Sequence, residues 1–266
     1  MEEFYKIVAY VLGGVLGVCV GSFLNVVIYR LPRGMRLDKP GSHCTVCDYS
    51  LRWYDNVPVL SYLLLGGKCR KCRAPISPRY TVVEIVNMLL WLLSVHLFWD
   101  QSIAFAVIAA LTSSILVCTF FIDLEHMIVP DSFVVILGAL GVAATFLDPS
   151  YGWVSHLIGA AVGFGIFYGV FAFFYYLLKK DGLGGGDIKL ALVMGLLLGW
   201  ERLLLSMIIA SVSAAVILSV LSAMRREGRD KEYPFAPFLC VGFAVAMFFG
   251  TAIINAYLGL LGYNPI

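Results

Sequence analysis

Gln101-Ser-Ile-Ala-Phe-Ala-Val-Ile-Ala-Ala-Leu-Thr-Ser-Ser-Ile-Leu-Val-Cys-Thr-Phe-Phe-Ile-Asp-Leu-Glu-His126 decides what kind of protein this is. Its first 22 residues carry no charge, enough to cross a hydrocarbon core, which takes roughly 20 apolar residues in a helix. The run ends on Asp123. An ionisable group at membrane depth is costly and marks a functional position by default. Comparable charge-free runs cover 7–29, 149–178, 203–224 and 233–266, with shorter apolar ones at 85–99, 132–147 and 190–200. The chain is 61% hydrophobic and 14% charged, against roughly 25% charged in soluble domains. A soluble enzyme and a disordered chain are thereby excluded. The first run follows Met1-Glu-Glu and precedes Arg30 and Arg33, so it reads as a retained anchor rather than a cleavable signal.

The charge distribution predicts a topology. Ten of the 19 Lys and Arg residues lie in 30–80, against three acids. Three more are Lys179, Lys180 and Lys189, and four are Arg225, Arg226, Arg229 and Lys231. Basic clusters stay on the cytoplasmic side. Eight spans satisfy all three clusters: 7–29, 80–99, 102–122, 131–147, 153–178, 188–200, 203–224 and 235–258. Both termini then lie outside. Asp123 ends the third span and Asp187 opens the sixth, so the two acids meet the same cytoplasmic face. The expected fold class is an all-α polytopic membrane protein of about eight transmembrane helices with a small cytoplasmic four-cysteine, zinc-ribbon-like domain. The expected divisions are 1–29, 30–80 and 81–266.

Within the basic loop, Cys44-Thr-Val-Cys47 and Cys69-Arg-Lys-Cys72 form two Cys-x-x-Cys knuckles. Their spacing suits a tetrahedral zinc site, which is structural because four thiolates leave no open position. The surrounding Arg52, Lys68, Arg70, Lys71 and Arg73 favour thiolates. The competing reading, two disulfides, runs against a reducing cytoplasm. Zinc ribbons often bind nucleic acid, but an anionic inner leaflet accounts for the basic charge without it. Membrane lipid is therefore the expected partner, and nucleic acid is not. No internal repeat is visible.

Gly184-Gly-Gly-Asp187-Ile-Lys189 brings the second acid to the start of the sixth span. Taken alone, Asp187 reads equally as an N-cap. Two carboxylates at one face form an acid–base pair able to activate water. The expected division has Asp187 ionised by its helix N-terminus and Asp123 protonated by burial and its helix C-terminus. In this order, Asp123 with Pro130-Asp131, then Gly184-Gly-Gly-Asp187-Ile-Lys-Leu190, resembles the prepilin peptidases, a family of Gly-x-Gly-Asp membrane aspartic proteases. Gly21-Ser-Phe-Leu-Asn-Val-Val-Ile-Tyr-Arg-Leu-Pro32 is similar to that family's first-helix signature. The knuckles, Asp55-Asn-Val-Pro-Val-Leu-Ser-Tyr62, Arg79-Tyr80 and Glu84 resemble its cytoplasmic part. Pro234-Phe-Ala-Pro-Phe-Leu239 resembles its last helix, with Ala236 where glycine is expected.

The resemblance implies removal of the basic leader of type IV prepilins and type II secretion pseudopilins. The cut follows a glycine at the cytoplasmic face of the bacterial inner membrane, with Asp123 and Asp187 as the catalytic pair. It also implies N-methylation of the new amine with S-adenosylmethionine. The substrates are a basic leader joined to an apolar helix. No Gly-x-Gly-x-x-Gly fingerprint marks a donor site, so the donor region is placed near Gly67 and Glu84. Glu84 reads either as a helix N-terminal carboxylate or as a ligand for a sulfonium or amine. The other residues read as follows: Asp131 an N-cap, Lys189 a lipid-facing cation, and Asn25 an interhelical hydrogen bonder. His43 adjoins the metal shell, and His156 is an interfacial or packing residue. Gly159, Gly163 and Gly165 mark close helix packing, and Asp38, Asp48 and Asp55 are acids able to meet a basic leader. Competing functions are a peptidase without methyl transfer, a proton-coupled transporter with a zinc-ribbon gate, and a tethered zinc-ribbon binding module.

Overall fold

The computed structural model describes residues 1–39, 41–179, 184–224 and 233–263. The basic residues Lys180, Arg225, Arg226, Arg229 and Lys231, used for the topology, lie outside the described residues. The chain forms two compact units, Met1–Trp99 and Asp100–Ile266. The described residues hold helices and short loops, and no β-strand beyond two isolated bridges.

The first unit contains α1 (Glu2–Arg30), the short α2 (Leu60–Leu64) and α3 (Arg79–Phe98). Helices α1 and α3 run antiparallel, joined through small residues on α1. A Cβ at Gly17 would sit 2.9 Å from Trp91 Cβ, and one at Gly21 would sit 2.8 Å from Glu84 Cα. Close approach lets polar side chains reach the neighbouring backbone. Asn87 Nδ2 donates to the Gly17 carbonyl at 2.7 Å, and Asn25 Nδ2 donates to the Tyr80 carbonyl at 3.0 Å. The interhelical role expected of Asn25 is thus present.

The second unit contains α4 (Ile103–His126), α5 (Asp131–Leu147) and α6 (Trp153–Ala172), which continues as a π-helical turn over Phe173–Leu177. It is completed by α7 (Gly185–Leu198), α8 (Trp200–Met224) and α9 (Ala236–Leu260). Among the described residues, six helices of the chain are long and apolar enough to cross a membrane. The remaining two of the eight expected spans, α5 with 17 residues and α7 with 14, are shorter. At about 1.5 Å per residue α7 is roughly 21 Å long, less than the roughly 30 Å hydrocarbon core.

Helix α7 is held along its length by α6. A Cβ at Gly159 would run into the Gly195 carbonyl, and one at Gly163 into that of Ala191. Gly165 differs from expectation: nothing lies within 4 Å of its Cβ position. At the far end of α7, His156 is fully buried and its Nδ1 lies 2.9 Å from the Leu196 carbonyl. A carbonyl only accepts, so Nδ1 carries the hydrogen. His156 Nε2 lies 3.5 Å from Asp148 Oδ2, and that same oxygen pairs with the Arg202 guanidinium. Arg202 also donates from Nε to the Leu198 carbonyl at 2.7 Å and stacks on Tyr151, 4.5 Å from the ring centroid. The packing role read for His156 is therefore part of a buried ionic cluster that joins α6, α7, α8 and the α5–α6 loop.

Removing one member of a buried ion pair leaves the other uncompensated. Asp148→Ala is expected to destabilise the folded protein by about 3–5 kcal/mol, read as a lowered thermal midpoint in detergent. Asp148→Leu combined with Arg202→Met should recover most of the loss, because the uncompensated charge is then gone.

Candidate active site

Asp123 does not end its helix. The chain continues helically to His126 and closes on Met127 in the left-handed conformation (φ 53°), whose N–H donates to the Asp123 carbonyl at 2.9 Å. The Asp123 side chain is buried, and its carboxylate accepts a hydrogen bond from the Ala236 N–H. Ala236 is the first residue of α9, so an otherwise unused helix N-terminal donor meets the acid. Its partner, Asp187, is half-buried in the first turn of α7 and close enough to Asp123 for the two charges to interact. Asp187 is not the N-cap: Gly184 occupies that position and accepts from the Asp187 N–H at 3.1 Å. The side chain is consequently left for the pair.

Gly186 sets that placement. A Cβ there would lie 3.0 Å from Val129 Cβ, so the α7 N-terminus rests directly on the α4–α5 connection. Gly185 has nothing within 4 Å, and it is the position that the Gly-x-Gly-Asp pattern leaves open. Asp131 and Lys189 correct two expectations together. Asp131 makes no side-chain cap on α5; instead Lys189 Nζ lies 2.7 Å from its Oδ1, both side chains being exposed. This pair joins α5 to α7 beside the acids. Cys240, one turn into α9, is buried and feels the charge of both.

The first unit carries the cysteine cluster. The four Sγ atoms of Cys44, Cys47, Cys69 and Cys72 lie within 4.8 Å of one another, and those of Cys44 and Cys72 are 3.8 Å apart. Tetrahedral zinc with bonds of about 2.3 Å implies sulfur separations of about 3.8 Å, so the donor set fits that metal. No cysteine is in a disulfide. The two knuckles prove to be a repeat in three dimensions. In each, the N–H of the first cysteine donates to the carbonyl five residues on (Tyr49 and Ala74). In each, the residue after the second cysteine has positive φ, 52° at Asp48 and 62° at Arg73. The flanking bridges, His43 with Ser50 and Lys68 with Pro75, are equivalent as well. Backbone N–H groups of Cys72 and Lys71 aim at the Cys69 sulfur and hold its thiol down at about 6. The Tyr49 N–H favours a Cys47 thiolate, but lost hydration and the neighbouring sulfurs outweigh it and push that thiol up to about 11.

Asp55 is not an open docking acid. Its side chain is 1% exposed and lies 2.6 Å from Arg70 Nε, while the Arg52 N–H and Tyr49 hydroxyl donate to the other oxygen. Burial raises its carboxyl, yet Arg70 and these donors outweigh burial and leave it below the ordinary value. Its stabilising contribution is complete above the unfolded value of about 4 and is lost as pH falls through the lower folded value. His43 Nδ1 lies 3.0 Å from the Gly41 carbonyl, next to the first ligand.

Glu84 is not at a helix N-terminus, since α3 begins at Arg79. Its Oε2 accepts the Val59 N–H at 2.8 Å, and its carboxylate also hydrogen-bonds the Ser22 side chain. Val59 (φ 60°, ψ −52°) is the centre of a γ-turn in which the Leu60 N–H reaches the Pro58 carbonyl. This hand is rare and strained, the more so for a β-branched residue. Gly67 also has positive φ, and its Cβ position lies 3.0 Å from the Tyr62 ring. Gly67 thus shapes the turn that enters the second knuckle.

Residues 15–98 match the model of the bacterial peptidase A24 N-terminal domain, and residues 110–219 match the type IV leader peptidase family. Proteins named prepilin leader peptidase/N-methyltransferase from Stutzerimonas stutzeri, Pseudomonas aeruginosa and Pseudomonas putida are 34%, 32% and 33% identical to the chain. The alignments cover 92%, 94% and 99% of this chain and 92%, 93% and 97% of those proteins. No solved structure gives a significant match.

The cysteine geometry makes a direct prediction. Purified protein is expected to carry one tetrahedral metal ion per chain, measured by elemental analysis. Cys69→Ala should lose it, whereas Cys118→Ala and Cys240→Ala, both at buried positions in helices of the other unit, should retain it.

Proposed function

We propose, from the premise that the chain belongs to the type IV leader peptidase family, that Asp123 and Asp187 are the catalytic pair of a prepilin leader peptidase. The chain is a multi-pass inner-membrane enzyme that cleaves prepilin leaders and N-methylates the product. The observation that carries the catalytic assignment is the meeting of two carboxylates from distant helices, one buried and fed by the Ala236 N–H, the other at the head of a short helix. Cleavage falls after the leader's last glycine, at the cytoplasmic face, with both termini outside. Type IV prepilins and related pseudopilins are the substrates, each a basic leader followed by an apolar helix. Membrane lipid surrounds the helices.

In this mechanism the pair holds one proton between its two carboxyl groups. The ionised carboxylate takes a proton from water as the water oxygen attacks the glycine carbonyl carbon. The protonated carboxyl hydrogen-bonds the carbonyl oxygen and stabilises the charge that develops there. When the tetrahedral intermediate collapses, the C–N bond breaks and a proton passes to the leaving amine. The two carboxyl groups exchange roles in the course of one turnover. The short α7 supports access, because a helix of about 21 Å leaves part of the membrane face open to an extended substrate backbone.

The four thiolates of Cys44, Cys47, Cys69 and Cys72 hold zinc as a closed, structural site, so the ion takes no part in either reaction. S-adenosylmethionine, when bound, supplies an electrophilic methyl group on a sulfonium. The chain's task there is to place the new amine in line with it and exclude water. In this reading residues 30–80 serve methyl transfer, 81–266 serve cleavage, and 1–29 form the first membrane helix. Glu84 and Gly67 support the surroundings of the donor rather than contact it directly.

Asp123→Asn and Asp187→Asn are each expected to lower cleavage of a prepilin by at least about 10³-fold, measured by mass spectrometry, with metal content unchanged. Gly186→Ala should lower it by about 10- to 100-fold through displacement of Asp187. Gly185→Ala should stay within about twofold, since no neighbour obstructs it. Normal cleavage by either aspartate variant would overturn the assignment.

A further inference from the structure

A cavity of about 380 Å³ opens in the first unit, between one stripe of α1 and the segments around the first knuckle. The α1 wall is Cys19, Ser22, Val26 and Arg30, spaced three to four residues apart along one helix face. Asp38, Ser42, Asn56 and Pro58 face them. Its volume falls in the roughly 300–1,000 Å³ range of small-molecule sites. The lining is mixed rather than apolar, which sets this cavity apart from a lipid-filled groove.

We propose that this cavity is where the chain holds its methyl donor, S-adenosylmethionine. The inference rests on the methyl-transfer reading above. The donor has three parts with different needs. Its amino-acid end carries a carboxylate, and Arg30, whose Nη1 donates to the Arg36 and Leu37 carbonyls at 3.2 Å, sets its positive charge in the wall. Its ribose and adenine edges need short hydrogen-bonding groups, and Ser22, Ser42 and Asn56 supply hydroxyls and an amide. Its adenine face needs apolar cover, which Phe23 and Val26 provide from α1.

Glu84 explains why the two walls keep their spacing. One carboxylate hydrogen-bonds Ser22 on the α1 side and accepts the N–H of Val59, the residue next to Pro58, on the other. The strained γ-turn at Val59 places Pro58 at the cavity edge, and such strain persists only where the surroundings hold it. The negative charge behind Ser22 also favours a bound sulfonium over a neutral thioether, which suits release of the spent donor. Glu84 is thus a positioning residue for this site.

Cys19 provides a direct probe. It is exposed and lines the cavity, whereas Cys118 and Cys240 are buried and the other four cysteines are the metal ligands. In metal-loaded full-length protein in detergent, N-ethylmaleimide, which is uncharged and enters the micelle, should modify Cys19, a position inside the first span. Saturating S-adenosylmethionine or S-adenosylhomocysteine should slow that reaction about tenfold, quantified on the Cys19 peptide by mass spectrometry. Ser42→Trp, which fills the cavity, should weaken donor binding in equilibrium dialysis by at least about tenfold, with metal content and thermal midpoint as in the wild type. Glu84→Gln should weaken binding of the sulfonium more than that of the neutral thioether, a difference that general loosening of the wall would not produce. Donor binding by the wild type with no change in Cys19 labelling would place the donor elsewhere and overturn the site. Undiminished binding by Ser42→Trp would do the same. No donor binding by the wild type would overturn the methyl-transfer reading and this site with it, while leaving cleavage untouched.

Discussion

A carboxylate buried in the last turn of a membrane helix survives only where a donor meets it, and for Asp123 that donor is the Ala236 N–H at the start of α9. Two difficulties are settled by this one contact. The last turn of α4 presents carbonyl oxygens, which repel a carboxylate, while the first turn of α9 presents N–H groups that lack helical partners. Setting the start of one helix against the end of another lets each relieve the other. Asp187 then joins the pair from the first turn of a third helix, α7. Two helix N-termini therefore converge on two acids, and the arrangement tolerates a negative charge at a depth where isolated carboxylates are costly.

The second acid can be positioned only if α7 is fixed at both ends, because a 14-residue helix has little surface with which to anchor itself. At its start Gly186 lies against Val129, and Lys189 reaches Asp131 on α5. Along its middle, small residues let α6 approach to backbone contact. Near its end His156 donates to the Leu196 carbonyl and lies beside the Asp148–Arg202 pair. Helices in lipid gain little from apolar burial against one another and rely on close packing and polar contacts instead. The buried ionic cluster is thus the counterweight to the aspartate pair: charge held at one end of α7 fixes the geometry of charge held at the other.

Much of this was legible in the residues. Run length placed α1 and each helix from α3 to α9, since hydrophobic thickness is a strong constraint. The cysteine spacing announced its cluster. What escaped were interactions between residues whose partners are far away in sequence. Arg202, like Lys6, lies outside the basic clusters, and nothing in its neighbourhood names Asp148, 54 residues away. Lys189 and Asp131 each had an adequate local reading, as lipid-facing cation and helix cap, and the real pair spans 58 residues. The repeat of the two knuckles was hidden for another reason. It lies in backbone hydrogen bonds and φ angles that Asp48 and Arg73 share despite opposite charge.

The placement of Glu84 bears on how methyl transfer can work without a dedicated base. Its carboxylate is committed to Ser22 and to the Val59 N–H, and releasing it would free a strained turn. A base is in any case scarcely needed. An N-terminal amine has a pKa of about 8, so about a tenth is already neutral at pH 7, and bringing all of it to that form costs only about 1.4 kcal/mol. Positioning two reactants is worth far more, roughly 7–11 kcal/mol in favourable cases. If the proposed cavity holds the donor, a buried carboxylate committed to holding its two walls apart, rather than to taking a proton, serves the larger effect. In the proposed reading the same reasoning separates the two reactions: peptide hydrolysis needs an acid and a base together and would use the Asp123–Asp187 pair, while methyl transfer needs geometry and would use Glu84 only to position the donor.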